Sequence, residues 1–152
     1  MATIIHSNFS STNAKRVNLI TISNLVIPQP DTKMLVTISY LGGNTPFKVY
    51  QSNLVNNPYS VVTGIGIGLW AGAINVSANA RGFIPLLERD NPRLTESTLA
   101  LGPLTKIITA EYSDITTANL FLYAYTSDPN PTNLTWGEFY YNCNMTLMRI
   151  SK

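Results

Sequence analysis

The chain has 152 residues, enough for one domain with its own core, and only 12% of them are charged, against roughly 25% in an average soluble protein. Its formal net charge is +2 and its only basic pair near the start is Lys15-Arg16. That leaves no cationic arm able to neutralise many phosphates, so nucleic-acid packaging or reading is disfavoured. With Cys143 as the single cysteine and His6 as the single histidine, the sequence has neither an intramolecular disulfide nor a zinc site.

Residues 1–16 are polar and carry no period apart from Ile4-Ile5. They read as a flexible N-terminal arm, either frayed or paired with a neighbour's sheet edge through Ile4, Ile5 and Phe9. The first residues lack the basic and apolar regions of a signal peptide. The expectation is a chain made in a cytoplasm, without a transmembrane helix, that takes its place in a virion or an extracellular assembly. Four Asn-x-Ser/Thr matches, at Asn8, Asn75, Asn133 and Asn144, are what chance supplies in an Asn- and Thr-rich chain.

From residue 17 the pattern is that of strands, and residues 17–152 are expected to form one domain. Residues 17–27 place Ile20, Ile22 and Val26 on one side and stop at Pro28-Gln29-Pro30-Asp31. Residues 33–41 alternate Met34, Val36, Ile38 and Tyr40 against Leu35, Thr37, Ser39 and Leu41, and Gly42-Gly43-Asn44 turns the chain. A shorter strand at 47–51 follows, and Asn56-Asn57-Pro58 breaks it.

Residues 59–79 read as one bent strand or two successive ones. Within them, Ile65, Ile67, Leu69 and Ala71 face one way, while Gly64, Gly66, Gly68, Trp70 and Gly72 face the other. The second face is nearly bare, so a backbone, a neighbouring subunit or a flat ring can approach it closely, and Trp70 can lie across its glycine neighbours. Gly64, Gly66, Gly68 and Trp70 are therefore expected at a subunit interface. No charge occurs between Lys48 and Arg81, which raises a membrane-interacting alternative for 59–79. Repeated glycines and the polar Asn75, Ser77 and Asn79 make it a poor transmembrane helix, and a buried or subunit-facing strand is the favoured account.

Residues 81–103 concentrate charge in Arg81, Glu88, Arg89, Asp90, Arg93 and Glu96; Glu88 and Asp90 resemble paired catalytic carboxylates, but the favoured account is ion pairs on a solvated loop, the alternative a polar contact patch between subunits. Asp90-Asn91-Pro92 followed by Gly102-Pro103 has the cap, first-turn proline and stop of a short helix near residues 92–100. Strands return at 105–112 and at 118–126. In the latter, Leu120, Leu122 and Ala124 oppose Phe121, Tyr123 and Tyr125, which suits a central strand or one whose tyrosine face meets a partner. After a proline-set loop at 127–133, Phe139, Tyr141, Cys143, Met145 and Leu147 alternate with Tyr140, Asn142, Asn144 and Thr146, giving one core face and one wet face. Cys143 on the core side is expected to act as a small buried hydrophobe.

No motif carries bond chemistry. The Gly64-x-Gly66-x-Gly68 run lacks the third glycine spacing and following helix of a dinucleotide fingerprint, and a Ser-His or Cys-His mechanism would have to use His6 in the least patterned part of the chain. The reading is not an enzyme, with no catalytic residue, cofactor or metal. The fold class is all-β, an antiparallel β-sandwich, jelly-roll-like, with about eight strands and one short helix near 92–100.

Two functions fit. The first is a self-assembling homo-oligomeric structural protein: a virion or phage capsid, decoration or fibre component, or a filament subunit. Its partners would be copies of itself and other proteins of the same assembly. The alternative is a carbohydrate-binding module, lectin or host-attachment tip, with Trp136, Tyr123, Tyr125 and Tyr140 stacking on glycans.

Overall fold

In a computed structural model of the chain, backbone is described for residues 2–6, 10–11, 14–43, 47–51, 60–92, 96–126, 134–136 and 139–150. Side chains are described for 16–43, 47–49, 61–90, 98–125 and 141–150. Among the described residues twelve strands run in chain order as β1 (Ala2–His6), β2 (Ser10–Ser11), β3 (Ala14–Ile22), β4 (Thr32–Gly43), β5 (Phe47–Gln51) and β6 (Ser60–Trp70), then β7 (Ala80–Pro92), β8 (Glu96–Leu99), β9 (Leu104–Ala110), β10 (Thr117–Thr126), β11 (Leu134–Trp136) and β12 (Phe139–Arg149). The only helical turn among the described residues is a 3-10 turn at Ser77–Asn79.

All pairings are antiparallel. They build a sheet of order β1-β12-β4-β9, a second of order β3-β10-β6-β7 and a small third of order β2-β11-β5-β8. Four of the links that cross from one large sheet to the other, β1 to β3, β4 to β6, β7 to β9 and β10 to β12, each carry one short strand that pairs in the third sheet. Antiparallel pairing puts the strand ends that these four links join at one end of the sandwich. The loops 23–31, 71–79 and 111–116 lie at the other.

One hydrophobic core joins the two large sheets. From the first sheet it takes Met34, Val36, Ile38, Ile108, Ala110, Tyr141, Cys143 and Met145, and from the second Ile20, Ile65, Ile67, Leu69, Leu86, Leu120 and Leu122. The alternation read for 33–41, 118–126 and the described part of 139–147 is therefore the alternation of the fold: Val36 and Cys143 are fully buried, while Lys33 and Thr146 face out. Asn24, Asp31 and Asn75 hold positive φ of 60°, 62° and 64° in two of the end loops, where short polar side chains tolerate the left-handed region. Backbone bonds tie that end together, Leu25 N–H donating to the Thr116 carbonyl and Thr116 N–H to the Trp70 carbonyl at 2.9 and 3.0 Å.

Two expectations are corrected. Residues 96–99, read as part of a helix, form β8 against β5, with Phe47 opposite Leu99 and Val49 opposite Ser97. Phe47, Val49 and Leu99 are buried, so long-range burial outweighs the local cap and stop signals. Of the charged span 81–103, read as ion pairs on a solvated loop, residues 81–92 lie in the edge strand β7. Pro85 and the run Glu88-Arg89-Asp90 are tolerated there because an edge strand has a free side, and charge and proline on it discourage further pairing. Lys106 Nζ donates to the Pro85 carbonyl at 2.9 Å.

Residues 2–6, expected as part of an arm, lie in β1 on β12 of the same chain, with Ile4 opposite Tyr141 and Ile5 opposite Tyr140. Phe9 lies outside the described residues.

Candidate contact face

The glycine run occupies the middle of the second sheet. β6 pairs with β10 on one side and β7 on the other, so neither of its edges is free. Its inward residues Ile65, Ile67 and Leu69 are core, and its outward residues Gly64, Gly66, Gly68 and Trp70 are buried as well. The reason is that rings from this chain cover them. Tyr123 from β10 lies over Gly64. A methyl group on Gly66 would stand 2.6 Å from Phe83 Cε1 and 3.0 Å from the Ile84 carbonyl oxygen. On Gly68 it would stand 2.6 Å from Asn119 Oδ1 and 2.8 Å from Trp70 Nε1. Missing Cβ atoms thus make room for a layer of rings, and a partner approaching this face meets the rings, not the glycines.

That layer is internally connected. Phe83 is 5.3 Å from Phe121 and 5.2 Å from Tyr123 between ring centroids, the latter edge-on at 85°. Tyr123 stacks on Tyr125 at 6.3 Å and 9°. At the other end Arg16 places its guanidinium 4.1 Å from the Phe121 centroid and 5.9 Å from that of Trp70, and donates to Asn75 Oδ1 at 3.1 Å. Beneath it, Trp70 Nε1 donates to Asn119 Oδ1 at 2.6 Å and Asn119 Nδ2 donates to Asn18 Oδ1 at 3.1 Å. Three strands are pinned by that chain of bonds, since an unpaired indole N–H or amide here would cost about 1–3 kcal/mol.

The ring row ends in exposed side chains: Phe83 is 48% and Tyr125 43% exposed. Across the register, Glu88 pairs with Gly64 and Asp90 with Val62, which places both carboxylates on the same outer face. They are felt electrically. Burial first, then the Glu88 carboxylate, holds the Tyr123 phenol well above its ordinary range, and Tyr125 is raised by burial, Glu88 and Asp90 in that order. The Tyr123 hydroxyl is buried without a hydrogen-bond partner of good geometry.

The opposite sheet has its own unusual outer face. Met148, Leu35 and Ile107 sit in one cross-strand row, and Met148 and Ile107 are 55% and 57% exposed. Around them the face is mainly Thr, Ser and Asn: Thr37, Ser39, Thr105, Asn144 and Thr146.

The expected glycan-contact residues fall on three different sheets. Tyr123 and Tyr125 share the ring layer, with Tyr123 buried; Tyr140 is in β12 of the opposite sheet and Trp136 in β11 of the third, their side chains outside the described ones. Sequence reasoning missed Phe83 and Arg16 and took Glu88 and Asp90 for charges of a loop. Reading 80–92 as a strand pairs Glu88 with Asp90 by alternation, but Phe83 joins their face only through the register shift opposite Ile65 and Gly66.

Cys143 is fully buried among core side chains, and burial pushes its thiol up, partly opposed by the nearby Tyr141 hydroxyl. Among the described residues no three His, Cys, Asp or Glu side chains are grouped to hold a metal ion, and no helix is long and apolar enough to cross a membrane.

No family model matches the chain, and no curated protein does. Among solved structures, it is loosely similar to a structure of infectious bursal disease virus Gx strain, at TM-score 0.36 and 14% identity over 98% of this chain and 39% of that one. It is similar in the same loose way to the infectious bursal disease virus VP2 subviral particle, at 0.33 and 12% over 99% and 41%. The acid-stable capsid structure of Helicobacter pylori bacteriophage KHP30 overlaps at 0.18 and 12% over 95% and 96%. The chain spans about two fifths of the length of the bursal disease virus chains.

Proposed function

We propose that this chain is a non-enzymatic structural subunit that assembles with copies of itself, as a capsid, decoration or fibre component of a virion or as a filament subunit. The observation that carries the reading is the exposure of large apolar side chains on the outer faces of both sheets, Met148 and Ile107 on one and Phe83 and Tyr125 on the other. A sandwich that works alone turns polar residues outward, and apolar patches on both faces are the mark of contact surfaces. The alternating strand order supports a jelly-roll reading, an architecture used by viral shells and lectins alike. Low charge supports close subunit packing, since few ions need be desolvated. The interface role expected of Gly64, Gly66, Gly68 and Trp70 becomes an indirect one, holding the ring layer that a partner meets, and Ile4 and Ile5 remain candidates at the edge strand β1.

Electron microscopy of concentrated purified protein tests this. Rings, shells or filaments are expected, and a field of dispersed single-domain particles would contradict it. A second reading, glycan attachment, is favoured by one feature, an exposed Tyr125 ring with two carboxylates beside it that would accept sugar hydroxyl protons. A glycan array with wild type and Tyr125→Ala separates the two: binding lost in the variant supports attachment, and no binding by wild type removes it. The membrane alternative for 59–79 has little left to use, because residues 61–70 are paired on both sides and all but the half-buried Val62 are buried.

A further inference from the structure

We propose that two copies of the chain pair through the outer face of the β3-β10-β6-β7 sheet, related by a two-fold axis that lies in the contact. This rests on the self-assembly reading and names its surface and symmetry. The observation behind it is how charge is set across that face. Register places Arg16, Tyr123, Gly64 and Glu88 in one cross-strand row, and Asp90 in the next row with Tyr125 and Val62. The cation is thus on one outer strand, β3, the carboxylates are on the other, β7, and Phe121, Tyr123 and Tyr125 of β10 lie between. Arg16, Glu88 and Asp90 are all exposed. The other charges of this sheet leave the pattern intact: Lys15 and Arg89 stand at core-side register positions, opposite Ala124 and Thr63, and Arg81 is bound to Asp114.

Strands lie about 4.8 Å apart, so three spacings put the backbones of Arg16 and Glu88 about 14 Å from each other. When a two-fold packs two copies of a face together, each residue meets the one equally far across the axis. An axis running along the strands between β10 and β6 therefore lays Arg16 of each copy over Glu88 of the other, and both ion pairs form at once while like charges stay apart. Such a face complements itself. The charged margins set the register, and the centre, where Phe83 and Tyr125 are half-exposed, supplies apolar burial. The outer face of the opposite sheet has no such pair of margins. By register Lys33 is its one charge among the described residues, since Lys106 and Arg149 stand opposite the buried Val36 and Met34.

The test reverses one margin at a time in an Ile107→Glu background, which puts a carboxylate on the apolar row of the opposite sheet and leaves the ring face as the contact measured. By light scattering at matched concentration, this background should reach about twice the single-chain mass of 16.7 kDa and stop. Arg16→Glu sets carboxylate against carboxylate, and Glu88→Lys with Asp90→Lys sets cations against the guanidinium. Each should weaken dimerisation by about a hundredfold or more. An equimolar mixture of the two variants should dimerise again, because in the mixed pair both contacts join opposite charges. Thermal melting checks each fold. Should Arg16→Glu melt well below wild type, Arg16→Ala replaces it and should still draw the lysine variant into a mixed dimer.

A charge variant that keeps the dimer mass, or a mixture that stays monomeric, overturns this pairing, and a background that grows past two chains overturns its closed symmetry. A background that is monomeric while the wild type assembles also overturns it and leaves self-assembly in place. A wild type that is monomeric at every concentration overturns both.

Discussion

Gly68→Ala probes the central structural feature, the fit of rings and amides over the glycine face. The added methyl would stand 2.6 Å from Asn119 Oδ1 and 2.8 Å from Trp70 Nε1, between the two groups that share the 2.6 Å hydrogen bond. Neither can step aside freely: Asn119 is fully buried and bonded to Asn18, and Trp70 is buried with Arg16 near its ring. Overpacking costs about 1–3 kcal/mol, and separating the buried pair adds about 1–3 kcal/mol for polar groups left unpaired. At this chain length each kcal/mol moves the melting temperature by roughly 2–4 °C, so a fall of about 4–24 °C is expected.

Thermal unfolding followed by circular dichroism measures it. Gly102→Ala, whose methyl would meet nothing within 4 Å, is the control and should stay within about 0.5 kcal/mol of wild type. Gly66→Ala should fall between them, because the half-exposed Phe83 ring can swing away although the Ile84 carbonyl cannot. If Gly68→Ala melts within about 1 °C of wild type, the close packing over the glycines is not what holds this sheet.

Cys143 should resist a thiol reagent in native buffer and react fully in denaturant; rapid stoichiometric labelling of the native protein would contradict its burial. Tyr123 and Tyr141 are both raised, chiefly by burial, so the folded state keeps their protons where the unfolded chain loses them. Their contribution to stability is present below the ordinary phenol value of about 10 and is lost as pH rises above it. In an alkaline titration by phenolate absorbance, fewer than all eight tyrosines should ionise before the fold is lost, and complete ionisation of a still-folded protein would refute this. Arg81 Nε donates to both oxygens of Asp114 at 3.1 and 3.0 Å, but the pair is on the surface, so Asp114→Asn should cost less than about 1 kcal/mol in urea unfolding. A loss several times larger would mean that the 111–116 loop organises the fold.

How far the sequence could be read follows from which signals are local. β4, β10 and β12 announce themselves by alternation, because each has a core face fixed by its own side chains. β7 does not: Gly82, Pro85 and three consecutive charges look like a loop until its place at a sheet edge is known. β8 was mistaken for a helix because Pro92 and Gly102-Pro103 are local signals, whereas its pairing with Phe47 and Val49 is a contact across about fifty residues of sequence. The glycine face was visible as a pattern, but what fills it was not. Tyr123 and Phe83 reach Gly64 and Gly66 from neighbouring strands, and that adjacency exists only after the sheet is ordered. The exposed rows on the outer faces were hidden for the same reason, since Met148, Leu35 and Ile107 come from three strands far apart in the chain.

The central claim, that this sandwich works as an assembled subunit, is tested most directly by its mass in solution, measured by light scattering over a wide concentration range. The account predicts masses that rise above 16.7 kDa toward a discrete multiple or a growing polymer as concentration increases. A mass that stays at the single-chain value at the highest concentration would contradict it.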